Sequence, residues 1–102
     1  MASLNVVDGP ARGQRFTLSR RTVMVGRDTS CAIAIADERI SRRHLQVTFE
    51  PQGHRHVAMD VGSSNGVTVN GVRLVRGVAR ALDDGDEIGI GATALRYSSD
   101  EA

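Results

Sequence analysis

The sequence predicts an all-β domain in which two antiparallel sheets pack face to face. Short segments from end to end alternate apolar residues with polar or small ones, the pattern of strands with one buried face. Turn-forming residues separate these segments, and no stretch of helical length keeps a 3.6-residue period. The core should consist of Val, Ile, Leu and Ala, because aromatic residues make up only 3% and Trp is absent.

The first half of the chain predicts five strands. Their alternating apolar residues are Leu4 and Val6; Phe16 and Leu18; Val23 and Val25; Ile33 and Ile35; and Leu45, Val47 and Phe49. Turns are predicted between them, at Asp8-Gly9-Pro10, Asp28-Thr29-Ser30 and Pro51-Gln52-Gly53. Each predicted strand is therefore short, and the chain reverses direction at a defined turn after it.

The second half continues the pattern. Its apolar residues are Val57, Met59 and Val61; Val67 and Val69; Val72 and Leu74; Ile88 and Ile90; and Leu95 and Tyr97. Asn70-Gly71 is the strongest hairpin signal, since both central positions of a type I′ turn need positive φ. We expect the domain to span residues 1–97 and residues 98–102 to form a tail.

Composition restricts the class of protein. The 102 residues suffice for one core, and the formal net charge of +1 is too small for a general nucleic-acid or membrane binder. A single cysteine, Cys31, cannot form an internal disulfide and favours a reducing compartment. Apolar runs stay well short of the ~20 residues that span a bilayer. We therefore expect a monomeric cytoplasmic domain.

Five motifs with anion-binding chemistry follow one another along the chain. They are Gly26-Arg27, Ser41-Arg42-Arg43-His44, Asp60, Gly62-Ser63-Ser64-Asn65-Gly66 and Val69-Asn70-Gly71. All lie at predicted turns or strand ends, where binding residues are usually found. Arg offers a planar fork of N–H donors that matches phosphate oxygens, while Ser and Asn add further donors.

This ordered set resembles the forkhead-associated (FHA) domain, a phosphothreonine-peptide-binding module, over nearly the whole chain. The resemblance implies a β-sandwich of about eleven strands with binding loops at one end. It implies phosphopeptide binding by Arg27, Ser41, Arg42, Ser64 and Asn65, and peptide selectivity from Arg39. It also implies that the binding loops are supported by Gly26, His44, Asp60, Gly66, Asn70 and Gly71.

The function expected from this resemblance is a non-catalytic signalling module without cofactors. Its partner would be a phosphothreonine-containing protein, either a Ser/Thr kinase or a kinase substrate. All 13 basic residues are arginine, a composition that favours a GC-rich bacterial source. One alternative is a domain of the same fold that docks a folded partner independently of phosphate. A nucleic-acid-binding barrel is disfavoured by the charge of +1 and the scarcity of aromatic residues.

Three other patterns partly match metal or catalytic sites, but each lacks a feature that such a site requires. A zinc site at His44, His54 and His56 lacks the cysteine or carboxylate that would complete a tetrahedral set. Gly62 to Gly66 matches the G-x-S-x-G nucleophile elbow, but a strand rather than a helix is predicted after it, and no His follows His56. The acidic run 83–87 lacks the spacing of an EF-hand loop. We expect neither a metal site nor an enzyme.

Overall fold

The computed structural model describes residues 1–99, and eleven strands lie within them. They are β1 (Ser3–Asp8), β2 (Arg15–Thr17), β3 (Val23–Gly26), β4 (Ile33–Ala34), β5 (Leu45–Glu50), β6 (Arg55–Asp60), β7 (Val67–Val69), β8 (Val72–Arg73), β9 (Arg80–Ala81), β10 (Glu87–Ile90) and β11 (Thr93–Ser98). The all-β prediction is confirmed. No helix in this range could span a membrane.

The strands form two sheets. The six-stranded sheet has the order β2-β1-β11-β10-β7-β8, and the five-stranded sheet has the order β4-β3-β5-β6-β9. Neighbours are antiparallel except β3 and β4, whose parallel pairing sets Val25 opposite Ile33. The first and last strands are neighbours, with Ser3 opposite Ser98. Of the predicted tail, Ser98 ends β11, and residues 100–102 lie outside the described part.

The core lies between the two sheets and consists of aliphatic side chains. The fully buried residues of the inner faces include Leu4, Val25, Leu45, Val47, Val67, Val69, Ile88, Ile90 and Leu95. Among the large, fully buried side chains of residues 1–99, Tyr97 and His44 are the two that carry rings. The predicted inward faces of β1, β3, β5, β7, β10 and β11 agree with this arrangement.

The predicted inward face of β6 was wrong. Ala58 is fully buried, and His56 and Asp60 also point inward, whereas Val57 and Met59 are only half-buried on the opposite face. The polar residues lie inside because they have buried partners. His56 Nδ1 is 3.0 Å from the Tyr97 hydroxyl, and its Nε2 is 2.9 Å from a backbone carbonyl oxygen. Apolar alternation cannot reveal such partners. It therefore assigned residues 57 and 59 to the core, whereas the inward residues are 56, 58 and 60.

The hairpin between β7 and β8 forms as predicted. Asn70 and Gly71 have φ values of 52° and 81°, the two positive values that a type I′ turn requires. The Asn70 side chain also donates to Asp86 Oδ1 at 2.9 Å and accepts from the backbone N–H of Glu87 at 3.0 Å. These bonds fix the hairpin against the start of β10.

The inward face of β6 can be tested by introducing leucine at each of two adjacent positions, 58 and 59. Ala58→Leu should destabilise the domain by roughly 1–3 kcal/mol, because extra methylenes have no room in a packed core. Met59→Leu, on the outer face, should cost less than about 1 kcal/mol. The measurement is the free energy of unfolding in urea. A larger loss for Met59→Leu would show that the faces are assigned incorrectly.

Candidate functional site

Three loops meet at one end of the sandwich, because the strands that carry them end side by side. Leu45 at the start of β5 pairs with Val25 in β3 on one side and with Asp60 at the end of β6 on the other. The loop after β3 (residues 27–32), the loop before β5 (35–44) and the loop after β6 (61–66) therefore adjoin one another. These three binding loops carry the predicted phosphopeptide-binding residues.

The first two loops are joined through their backbones. Arg27 N–H donates to the Ser41 carbonyl oxygen at 3.0 Å, and Asp28 N–H donates to the Arg42 carbonyl oxygen at 3.2 Å. This approach requires glycine at position 26, since a Cβ there would collide with the Arg42 carbonyl oxygen. The predicted support from Gly26 thus has a steric basis.

Arg27 is exposed, and only one edge of its guanidinium is used inside the domain. Its Nε donates to the Ile40 carbonyl oxygen at 3.0 Å. Its two terminal nitrogens make no hydrogen bond or ion pair with the described residues. The internal bond therefore fixes the side chain and leaves a planar pair of donors facing solvent.

Side chains join the second loop to the third. Ser41 Oγ accepts from the Ser64 backbone N–H at 3.0 Å, so the hydroxyl hydrogen of Ser41 stays available for a ligand. Asn65 Nδ2 donates to the Arg39 carbonyl oxygen at 2.8 Å, which fixes the orientation of this exposed amide. The predicted residues Arg27, Ser41, Ser64 and Asn65 are thus brought together by short contacts.

His44 holds the second and third loops together from beneath. Its imidazole is fully buried, with Nδ1 accepting from Ser41 N–H at 3.0 Å and Nε2 2.7 Å from the Gly66 carbonyl oxygen. Since Nδ1 accepts, Nε2 carries the hydrogen and donates to Gly66. Neither nitrogen contacts a serine hydroxyl, so the hydrogen bonds of a Ser-His catalytic pair are absent at this histidine.

Asp60 organises the third loop. Its Oδ1 accepts from the backbone N–H groups of Gly62 and Ser63, each at 2.9 Å, and its Oδ2 accepts from the Ser63 hydroxyl at 3.1 Å. Burial raises the pKa of the carboxyl, but these hydrogen bonds, from the Ser63 backbone first, lower the pKa below its usual value. The side chain is therefore a carboxylate that holds the loop closed.

Asp37 is a second buried carboxylate, which the sequence did not single out. Its Oδ1 accepts from Arg39 N–H at 2.9 Å, whereas Oδ2 accepts from Ala92 N–H and the Thr93 hydroxyl, each at 2.8 Å. Burial raises its pKa, but bonds to Arg39, Thr93 and Ala92 outweigh that effect and lower it. Two of its partners lie more than 50 residues away, so only the local bond to Arg39 had a sequence signal.

The surface formed by the binding loops is positively charged. Arg27, Arg39, Arg42 and Arg43 are all exposed there against one exposed carboxylate, Glu38, whereas Asp37 and Asp60 are buried. The nearby Asp28 also accepts hydrogen bonds from Ser30, which lower its pKa, with smaller contributions from Arg42 and Arg43. The exposed donors are therefore suited to a multiply charged anion.

Arg73 adds a further cation, which the sequence did not indicate as part of this site. Gly66, the last residue of the third loop, has a φ of 83°, and a Cβ there would lie only 2.8–2.9 Å from the guanidinium of Arg73. The guanidinium therefore lies directly against the loop. Arg73 reaches it through the β7–β8 hairpin, where it pairs with Thr68.

The other candidate residues have structural partners. His56 lies at the opposite end of β6 with both ring nitrogens engaged, and His54 is in an exposed turn rather than on the strand. In the acidic run, Asp86 Oδ2 accepts from Asp83 N–H at 2.8 Å. Among residues 1–99 no three His, Cys, Asp or Glu side chains are grouped as metal ligands.

Asp37 and Asp60, the buried carboxylates whose pKa is lowered, should make the fold sensitive to acid. A carboxyl whose pKa is lowered in the folded state stabilises the domain above its unfolded pKa of about 3.9, and this contribution is lost as pH falls through the folded-state value. The free energy of unfolding should therefore decrease below about pH 4. Asp60→Asn should lose roughly 1–3 kcal/mol at pH 7, because the amide keeps Oδ1 but turns an N–H₂ donor toward the Ser63 hydroxyl, which loses its acceptor. The stability of this variant should decline less in acid.

Urea unfolding between pH 2.5 and 7 measures both effects. The exposed Asp8 provides the matched control, since Asp8→Asn removes the same charge from the surface at the end of β1. It should keep both the stability at pH 7 and the acid decline of the unchanged protein. Identical curves for Asp60→Asn and the unchanged protein would contradict the assignment.

Comparison with known proteins agrees with this geometry. The family model described as FHA domain matches residues 23–91. The oxoglutarate dehydrogenase inhibitor of Corynebacterium jeikeium is 40% identical over 96 residues, which cover 94% of this chain and 63% of that protein. The glycogen accumulation regulator GarA of Mycolicibacterium smegmatis is 39% identical over 94% of this chain and 58% of its own length. The chain thus spans less than two thirds of either relative.

A solved structure gives the same result for the fold. It comes from a structural and functional analysis of phosphothreonine-dependent FHA domain interactions, and it matches this chain with a TM-score of 0.86 at 27% identity. The match covers 99% of this chain and 98% of that one. With the family model extending from β3 to just beyond β10, the chain belongs to the forkhead-associated domain family.

Proposed function

We propose that this domain is a non-catalytic signalling module that binds phosphothreonine-containing segments of partner proteins. The observation that carries the proposal is the guanidinium of Arg27, which is fixed at Nε by Ile40 and has its terminal nitrogens exposed beside Ser41. A solved domain of the same fold comes from work on phosphothreonine-dependent interactions, which supports this ligand.

Each residue of the site has a distinct role in this proposal. Arg27 and Arg42 bind the phosphate oxygens through their guanidinium groups, and the hydroxyls of Ser41 and Ser64 donate to the same oxygens. The backbone N–H of Ser64 is already bound to Ser41, so only its hydroxyl serves the ligand. Asn65 binds the peptide backbone, with its amide oriented by the bond to the Arg39 carbonyl.

The expected affinity is moderate. Charge-assisted hydrogen bonds contribute roughly 1.5–3 kcal/mol each, and ordering a flexible peptide removes roughly 2–5 kcal/mol or more. Three or four such bonds near the upper value leave about 7–8 kcal/mol, which corresponds to a dissociation constant near micromolar. This range suits an interaction that a kinase and a phosphatase can reverse.

The partners follow from the same chemistry. The two relatives are named as an inhibitor of oxoglutarate dehydrogenase and as a regulator of glycogen accumulation. We infer that this domain likewise acts by binding, as a cytoplasmic monomer without a cofactor, and that its partner is a Ser/Thr kinase or a kinase substrate. Its single cysteine, Cys31, is buried and unpaired, which is compatible with a reducing compartment.

Titration calorimetry with matched peptides tests the proposal. A phosphothreonine peptide should bind at least tenfold more tightly than its phosphoserine and unphosphorylated versions. Arg27→Ala should remove this binding with little change in melting temperature, because an exposed arginine contributes little to stability. Arg21→Ala, which removes an exposed arginine from the opposite end, should leave both unchanged. Equal affinity for all three peptides would favour phosphate-independent docking instead.

Arg39 gives a second prediction, on selectivity. It lies two residues before Ser41, and its exposed guanidinium should prefer Asp or Glu C-terminal to the phosphothreonine. The preference should be modest, since an exposed ion pair is worth about 0.2–1 kcal/mol. In an oriented peptide library, Arg39→Glu should shift the preference from acidic toward basic residues and keep the phosphate requirement. An unchanged motif would show that another residue sets selectivity.

A further inference from the structure

Three exposed valines lie close together in the sequence beside the binding loops. Val72, Val75 and Val78 expose 64%, 69% and 56% of their surface, and within residues 1–99 the other exposed large hydrophobic residue is Met1. Arg73 and Arg76 are also exposed and lie between these valines. We call the surface of these five residues the valine–arginine ridge. Exposed apolar side chains grouped in this way often mark an interaction surface.

Backbone hydrogen bonds tie the ridge segment to the two residues that flank the third binding loop. Gly77 N–H donates to the Asp60 carbonyl oxygen at 2.9 Å, and Leu74, which is buried, donates its N–H to the Val67 carbonyl oxygen at 2.8 Å. Arg73 lies against Gly66 in the same loop. The ridge is therefore continuous with the surface that carries the proposed phosphopeptide site.

The charge of the ridge is entirely positive. Residues 67–82 contain three arginines and no Asp or Glu. Neither Arg73 nor Arg76 forms an ion pair in the described part of the chain. A complementary partner surface must therefore combine apolar side chains with carboxylates.

We propose that the valine–arginine ridge binds an acidic, apolar stretch of the same partner segment that carries the phosphothreonine. This inference rests on the proposed function. Apolar side chains of the stretch pack on Val75 and Val78, and its carboxylates pair with Arg73 and Arg76. Once the phosphate is bound, the stretch is tethered near the ridge, so a contact that is weak by itself adds to affinity.

Because the ridge adjoins the phosphopeptide site, the acidic, apolar stretch must lie close to the phosphothreonine along the partner segment. The ridge adjoins the third loop directly, and four extended residues span about 13 Å. The stretch should therefore begin within roughly four to eight residues of the phosphothreonine. It lies on one side of the phosphothreonine only, because a single extended chain passes the ridge once.

Three synthetic peptides test this with the unchanged 102-residue chain. The core probe is a phosphothreonine flanked by three alanines on each side. Two extended probes add the block Asp-Leu-Glu-Leu-Asp four residues beyond the phosphothreonine, on the N-terminal or the C-terminal side. One extended probe should bind at least about fivefold more tightly than the core, the size that two exposed ion pairs and apolar contacts allow. A Ser-Ser-Ser-Ser-Ser block should give no gain.

Variants identify the ridge as the source of the gain. Arg76→Glu, and separately Val75→Ser with Val78→Ser, should abolish the gain and leave affinity for the core probe unchanged. Arg21→Glu makes the same change in net charge at the opposite end of the domain and should keep the gain. In amide NMR spectra of the unchanged protein, Val75 to Val78 should shift with the extended probe and not with the core.

The outcomes separate the two proposals. If the core probe binds with phosphate dependence but neither extended probe gains affinity or shifts the ridge amides, the ridge proposal is overturned and the proposed function stands. Equal losses in Arg76→Glu and Arg21→Glu would overturn it as well, because they would show general charge attraction. If the core probe shows no phosphate-dependent binding, the proposed function fails, and the ridge proposal fails with it.

Discussion

The buried imidazole of His44 is the contact on which the arrangement of the binding loops depends. It accepts a hydrogen bond from one loop at Ser41 and donates one to another at Gly66, and it is fully excluded from water. A buried imidazole stabilises the fold when both of its nitrogens are hydrogen-bonded. If one partner is lost, the nitrogen left without a hydrogen bond costs its full desolvation free energy. The two loops therefore hold one relative position, and this fixes the hydroxyl donors of the half-buried Ser41 and the exposed Ser64.

Two buried carboxylates extend this frame. Asp60 closes the third loop through three local hydrogen bonds, and Asp37 ties the second loop to Ala92 and to Thr93 at the start of β11. Donors inside the fold bind both of these carboxylates, and the exposed side chains of the loops include four arginines against one glutamate, Glu38. A site whose donors are already fixed loses less entropy on binding. The negative charges thus stabilise a surface that is itself positive.

The sequence predicted the fold, and it predicted residues that the loops bring together, because strand alternation and turn motifs are local signals. The hairpin turn at Asn70 has a specific residue requirement, and the ordered loop motifs indicate one kind of ligand. It failed at β6, where His56 faces inward because Tyr97, 41 residues away, bonds its ring. It also missed Asp37 and Arg73, since their contacts with other loops depend on strand pairing that no local pattern encodes.

The pairing of the first and last strands has a practical consequence. Ser3 lies opposite Ser98 at one end of the sandwich, whereas Asp8 lies opposite Ala94 toward the end that carries the binding loops. Ser3 and Ser98 thus lie at the end of the sandwich opposite the binding loops, near the aromatic cluster of Phe49, His56 and Tyr97. A label, a sensor surface or a second domain joined at either position leaves the loops open. Copies fixed in this way present their arginines in the same direction, as a dense array of receptors.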